Sequence, residues 1–161
     1  MPSPTCHDHS ERRKPRVLAV SSGGGHWVEL MRLGPVFADC HVEYATVDAM
    51  YGEDIPNDKI HVIPDATRWN KFGLMCLALR VAWVVLASRP DIVISTGAAP
   101  GYFALRFAKL LRKRTIWVDS FANVDELSMS GQMAGKYADL WLTQWPELAR
   151  AGGPVFAGRV I

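Results

Sequence analysis

Two stretches of the chain share one pattern, and together they restrict the fold more than any other feature. "RVLAVSSGGGHWVEL", beginning at residue 16, and "DIVISTGAAPG", beginning at residue 91, each run from a short apolar segment through small residues into a helix-like pattern. Short β-branched runs alternating with longer helical periodicities mark βαβ units, in which parallel strands are joined by helices that cover the sheet. The spacing predicts strands near 16–21, 41–46, 60–63, 91–95, 114–118 and 139–143, and helices near 27–38, 68–88, 100–112, 131–137 and 146–150. The fold class is therefore α/β, a parallel sheet flanked by helices. Ligands of such sheets bind outside the carboxyl ends of the strands. That rule gathers the loops after 16–21 and 91–95, with Asp119-Ser120-Phe121 after 114–118, into one crevice.

With 161 residues, 49% of them apolar, the chain is long enough for one real core, and a single domain over 16–161 accounts for it. A formal charge of +2 is too small to argue for nucleic acid, and no basic strand interleaved with aromatics offers a base-stacking platform. Cys6, Cys40 and Cys76 lie far apart and form no Cys-x-x-Cys pair, so the chain suits a reducing cytoplasm without a disulfide framework or zinc site. Residues 1–15 are polar, charged and broken by Pro2, Pro4 and Pro15, which reads as a disordered basic leader lacking the apolar centre of a signal peptide. Cys6-His7-Asp8-His9 is the one alternative there, because thiol and imidazole are good metal ligands. Arg12, Arg13, Lys14 and Arg16 form a basic run, either solvated or touching anionic headgroups.

Ser22 and the glycines at 23, 24 and 25 let backbone amides approach an anion, and the helix that follows presents unpaired N–H groups. A diphosphate suits that chemistry. The spacing is not Gly-x-Gly-x-x-Gly and no Gly-Lys-Ser/Thr follows, so dinucleotide and Walker loops match poorly, although Asp48 could stand in for a ribose-binding acid. His26 is either a cap or a ligand-facing group, and its place directly after three glycines favours the latter: a neutral imidazole there can accept a proton. Glu29 reads as a capping-box acid turned back to the helix start.

Residues 69–88, "WNKFGLMCLALRVAWVVLAS", are apolar nearly all round. On a helix, Arg80 shares a face with Cys76, Leu77, Trp83 and Val84, leaving no broad polar side. Two readings stand: a buried core helix, or one partly inserted at a bilayer interface with Arg80 snorkelling and Trp69 and Trp83 at headgroup depth. The next helix carries Arg106, Lys109 and Lys113 on one stripe, which is either a solvated face or a contact with anionic lipid.

"SSGGGHWVEL", "DIVISTGAAPG", "DSFANVDELSMSG", "ADLWLTQWPEL" and "GRVI" occur in the order and approximate spacing of the Alg14-like family, which the chain resembles over residues 16–161. The resemblance implies a Rossmann-like domain equivalent to the N-terminal half of a MurG-like GT-B glycosyltransferase. It implies the acceptor-binding, membrane-recruiting subunit of a two-component UDP-sugar enzyme acting on a polyprenyl-diphosphate-linked sugar at the cytoplasmic membrane face. An Alg13-like donor-binding partner would hold most of the UDP-sugar, with no metal and no tightly bound cofactor here. By position it assigns Gly23, Gly24, Gly25 and His26 to the acceptor diphosphate or attacking hydroxyl, with Gly97, Asp119 and Ser120 on the same cleft. His26 is then the first candidate base and Asp119 the second, while Gln144, Trp145 and Glu147 fall at the inter-subunit cleft. Where many relatives have Glu-Ser, this chain has Asp119-Ser120. Eukaryotic members carry an N-terminal anchor that is missing here, which suggests peripheral attachment and a bacterial type active in capsule or exopolysaccharide assembly. The competing classes are a non-catalytic membrane scaffold and a free-standing nucleotide-binding enzyme.

Overall fold

The computed structural model describes residues 13–67 and 69–160. Their arrangement follows from the alternation just read. Strands β1 (Arg16–Val20), β2 (His41–Thr46), β3 (Lys59–Val62), β4 (Ile92–Ser95), β5 (Arg114–Val118), β6 (Leu140–Thr143) and β7 (Val155–Phe156) form one parallel sheet in the order β3-β2-β1-β4-β5-β6-β7. The helices are α1 (Gly25–Arg32), α2 (Lys71–Ser88), α3 (Ala98–Leu110) and α4 (Met129–Ala134). Strand order reverses between β1 and β4, the point at which doubly wound sheets bind their ligands.

Side-chain alternation along the strands divides the interior in two. Leu18 and Val20 of β1 pack with Val93, Trp117 and Ile63 beneath α2 and α3, whereas Val17 and Ala19 pack with Tyr44, Ile94 and Val118 beneath Trp27 and Leu30 of α1. A parallel sheet needs both faces covered, and these two layers provide that.

The six expected strands fall within a residue of their observed limits, and β7 is a short addition at the edge. The helix expected over 27–38 breaks after Arg32, with a separate 3₁₀ turn over Gly34–Phe37, because Pro35 has no amide to continue the ladder. The segment expected as a helix over 146–150 is a single 3₁₀ turn, Pro146–Leu148. The leader expected over 1–15 lies mostly outside the described residues, including Cys6-His7-Asp8-His9. Its last residues belong to the fold: Arg13 bonds both carboxylate oxygens of Asp91 at 3.1 and 3.0 Å, and the His41 amide donates to the Pro15 carbonyl at 2.9 Å.

Candidate functional site

The loop from β1 to α1 turns at Gly24, whose φ of 66° lies in the left-handed region that glycine alone enters without strain. Nothing lies within 4 Å of where a side chain would sit on Gly24 or Gly25, so the loop faces open space at the mouth of α1. One neighbour comes from an unexpected quarter. The Tyr51 hydroxyl accepts the Gly24 amide at 2.8 Å, and its ring stacks on Trp27, whose indole donates to Asp54 at 2.7 Å. The loop after β2 thus closes one side of the glycine loop. Asp48, which is exposed, caps that loop by accepting the Met50 amide at 2.9 Å.

His26 sits where the loops after β1 and β4 meet. Its carbonyl accepts the Thr96 hydroxyl at 2.7 Å, and its imidazole lies over Gly97. A Cβ on Gly97 would fall 2.5 Å from His26 Cε1, and the Gly97 φ of 146° is itself unfavourable for any other residue. Ala98, next in the chain, holds φ at 63° as α3 begins, so backbone strain is concentrated beside the imidazole.

Glu29 does not cap α1, which has no side-chain cap at its start. Its carboxylate is buried and reaches across to the loop after β5, where Ser120 Oγ and the Phe121 amide donate to Oε1 at 3.0 and 2.8 Å. An apparent local cap is in fact a bond across 91 residues of sequence.

Asp119 is 1% exposed and has four donors: Trp117 Nε1 (3.1 Å) and Ser128 Oγ (2.6 Å) to Oδ1, Asn123 Nδ2 (3.1 Å) and the Ser128 amide (3.0 Å) to Oδ2. This corrects its expected place as second candidate base, because an acceptor so enclosed has no face for a substrate proton; it holds the loop over 119–128 in shape. Gln144 is likewise 1% exposed, donating to the Asp119 carbonyl at 3.1 Å and accepting the Val160 amide at 2.8 Å, so it ties the strand ends together and is not a surface contact. Trp145 is half-buried between Phe121 (4.8 Å between ring centres) and the Arg159 guanidinium (4.6 Å), while Glu147 is exposed beside Asp125 and Glu126.

Of the residues expected at a membrane, those on α2 form a coherent surface. Leu77 and Val85 are fully buried, yet Phe72, Leu79 and Trp83 are 79%, 65% and 52% exposed, with Met75 and Leu86 on the same stripe and Trp69 exposed just before it. Both sides of α2 are therefore apolar. It is also long and apolar enough to cross a bilayer, although one of its faces is packed on the sheet. Arg80 does not extend outward: its Nε donates to the Val62 carbonyl at 3.2 Å and its guanidinium covers the Trp83 ring at 4.5 Å.

The basic stripe expected beyond α2 is not one stripe. Helix α3 ends at Leu110; Arg112 enters the left-handed region at φ 56°, and the Lys113 amide closes back on the Ala108 carbonyl at 2.9 Å, a Schellman-type stop that carries Lys113 off the helix. Arg106 is exposed and bonds the Tyr102 hydroxyl at 3.3 Å, whereas Lys109 is paired with Asp139. Lys109, Arg112, Lys113 and Arg114 border a depression of about 710 Å³ with Ile92 and Leu140, at the amino ends of β4 to β6. That end of the sheet is opposite the His26 crevice.

A switch-point crevice in a parallel sheet of this order defines a Rossmann-like unit, and its likeness to solved structures gives it the fold of the N-terminal half of a GT-B glycosyltransferase. Consistent with that class, the chain superposes on Acinetobacter baumannii MurG with a TM-score of 0.72 at 15% identity, covering 88% of this chain and 45% of that one. It superposes on the UDP-N-acetylglucosamine 2-epimerase of Rickettsia bellii with a TM-score of 0.65 at 10% identity, covering 84% and 40%. These likenesses are of fold, and the chain spans under half the length of either protein.

Sequence narrows the class further. Residues 72–158 match the profile of the family described as "Oligosaccharide biosynthesis protein Alg14 like". The chain is 37% identical over 163 residues to the UDP-N-acetylglucosamine transferase subunit ALG14 of Yarrowia lipolytica, covering 84% of this chain and 76% of that protein. Against the ALG14 subunit of Mus musculus it is 26% identical, covering 96% and 87%. The chain belongs to the Alg14-like family of oligosaccharide biosynthesis proteins.

Proposed function

We propose that the chain is the acceptor-binding, membrane-recruiting subunit of a two-component UDP-sugar glycosyltransferase that acts on a polyprenyl-diphosphate-linked sugar. The observation that carries this reading is His26, fixed at the switch point over Gly97 beside an open glycine loop, on a chain equivalent to half of a two-lobed enzyme. The names of the relatives, UDP-N-acetylglucosamine transferase subunits, support UDP-N-acetylglucosamine as the donor and a further subunit as the partner, to which we assign the donor-binding, Alg13-like role.

In this reading the acceptor diphosphate lies against the backbone of Ser22, Gly23, Gly24 and Gly25 at the N-terminus of α1, where the helix dipole and the amides other than that of Gly24, which donates to Tyr51, favour an anion. The acceptor hydroxyl then reaches His26. It gives its proton to the imidazole as its oxygen forms a bond to the anomeric carbon of the donor, and UDP departs with the electrons of the broken bond. Gly97 leaves the space that the imidazole occupies, and Ser120 fixes Glu29 behind it.

The exposed apolar stripe of α2 supports attachment to a membrane surface, which we assign to the cytoplasmic side: a helix lying in the interface buries one face in the acyl boundary. With Arg80 turned to β3, Lys109 paired and Lys113 off the helix, the apolar stripe contributes more to that attachment than the basic residues do. Trp145 and Glu147, at the carboxyl end of β6, remain our assignment for the inter-subunit cleft, with Gln144 supporting them from beneath.

Reconstitution tests this reading. The chain alone is expected to bind no UDP-sugar tightly and to transfer nothing, and the chain with its donor-binding partner to glycosylate a polyprenyl-diphosphate-linked acceptor. Tight binding of a nicotinamide dinucleotide or a UDP-sugar by the chain alone would contradict it.

A further inference from the structure

We propose that Glu29 is the positioning residue for His26: it receives the imidazole Nδ1–H and so leaves Nε2 as the atom that takes the acceptor's proton. This rests on His26 being the base.

His26 Nδ1 and Glu29 Oε2 are both buried, and neither has a hydrogen-bond partner among the described residues. They face one another at 3.9 Å, one turn apart on α1. Buried polar atoms without partners are uncommon because each retains the cost of its lost hydration. Two of opposite character, one a potential donor and the other an acceptor, this close together indicate a hydrogen bond that forms when the pair approaches by about an ångström.

Both groups are held from behind. Glu29 cannot swing away, because Ser120 Oγ and the Phe121 amide fix its Oε1. The imidazole lies against Gly97, and the His26 backbone is held by Thr96, neither of which titrates. Glu29 is thus the ionisable neighbour that sets which ring nitrogen carries the proton.

The proton inventory closes. With Nδ1–H donated to Glu29, Nε2 has its lone pair free. The acceptor O–H bond breaks as its proton passes to Nε2, the oxygen bonds to the anomeric carbon, and the carbon–oxygen bond to UDP breaks. The resulting imidazolium is stabilised by the Glu29 carboxylate and returns its proton to water after product leaves. A carboxylate that orients an imidazole and stabilises its charged form, without itself taking the proton, works the same way in hydrolytic triads.

The test uses the complex of the full chain with its donor-binding partner, comparing wild type with Glu29→Gln, His26→Ala and the double variant. Glutamine keeps the acceptor oxygen that Ser120 and Phe121 require but removes the charge. Glu29→Gln is expected to lower kcat by about 10- to 100-fold with KM for the lipid acceptor little changed, a split that a merely structural role would not give. In the His26→Ala background Glu29→Gln should cost nothing further. An unchanged kcat, or an equal loss in both backgrounds, overturns the proposal while leaving His26 as base. Full turnover by His26→Ala instead removes the base assignment itself.

A second readout needs no turnover. Side-chain ¹⁵N shifts of His26 in the wild-type chain should report the Nδ1–H tautomer, and the Nε2–H tautomer would overturn the proposal.

Discussion

His26 owes its position to residues that no periodicity marks as special. Gly97 admits its ring, Thr96 holds its carbonyl, and Ser120 with Phe121 anchors the glutamate beside it. Gly97→Ala should displace the imidazole and add backbone strain on the order of 1–3 kcal/mol. The expected outcome is a Tm several degrees lower together with a loss of turnover larger than the lost stability explains, measured by calorimetry and by acceptor glycosylation. Asp119→Asn makes a different prediction. An amide nitrogen in place of one carboxylate oxygen confronts the indole, hydroxyl and amide donors with another donor, and a buried group left unsatisfied costs about 1–3 kcal/mol. Stability should fall while the pH profile of whatever turnover survives keeps its shape. A shifted acidic limb would return Asp119 to the chemistry.

Among the elements, α2 carries the most specific expectation. Its buried face matches the sheet, but its outer face holds Phe72, Met75, Leu79, Trp83 and Leu86 where a water-facing helix would hold charge. Replacing Phe72, Met75 and Leu79 together by glutamine should leave Tm nearly unchanged, because exposed positions contribute little to folding. Vesicle co-sedimentation should drop at least tenfold, since each apolar side chain withdrawn from water contributes about 1.5–3 kcal/mol when fully buried. Undiminished binding would assign the stripe to something other than a membrane.

The start of β6 carries a pH expectation. The hydrogen bond from Lys109, opposed by partial desolvation and helped by the Thr115 hydroxyl and amide, holds the Asp139 carboxyl below its ordinary value of 3.8. A carboxylate depressed in the folded chain adds stability above its unfolded value, and loses that contribution as pH falls through the folded one. Asp139→Asn should therefore lower Tm at neutral pH, with the gap to wild type closing below about pH 4. A constant gap across that range would mean that the charge contributes nothing.

For the molecule as a whole, the strands were legible because β1 and β4 are each a short apolar run that ends in small residues ahead of a helix, whereas their order in the sheet emerged only from the structure. The crevice follows from those two loops, and the observed strand order places it at the switch point. Less could be read where partners are distant in sequence. Glu29 sits three residues after His26, the spacing of a local cap, and nothing nearby reveals that its partner lies at Ser120. Tyr51 entered the glycine loop unannounced, although an aromatic hydroxyl in the loop after the neighbouring strand was the available signal. The basic stripe failed for another reason: helical spacing carried Lys113 past the point where Arg112 ends α3.

In the proposed reading these elements make half of an enzyme: a parallel sheet, a crevice at the carboxyl ends of its strands for the acceptor, and in α2 an exposed apolar face for the membrane. The measurement that bears most directly on this account is single-turnover glycosylation by the complex carrying His26→Ala, with partner binding and vesicle binding measured alongside. Loss of a general base predicts a fall of about 10²- to 10⁴-fold in the chemical step with both kinds of binding intact. Full turnover with both kinds of binding intact would contradict it, and would leave the chain as a membrane scaffold for a partner that does the chemistry alone.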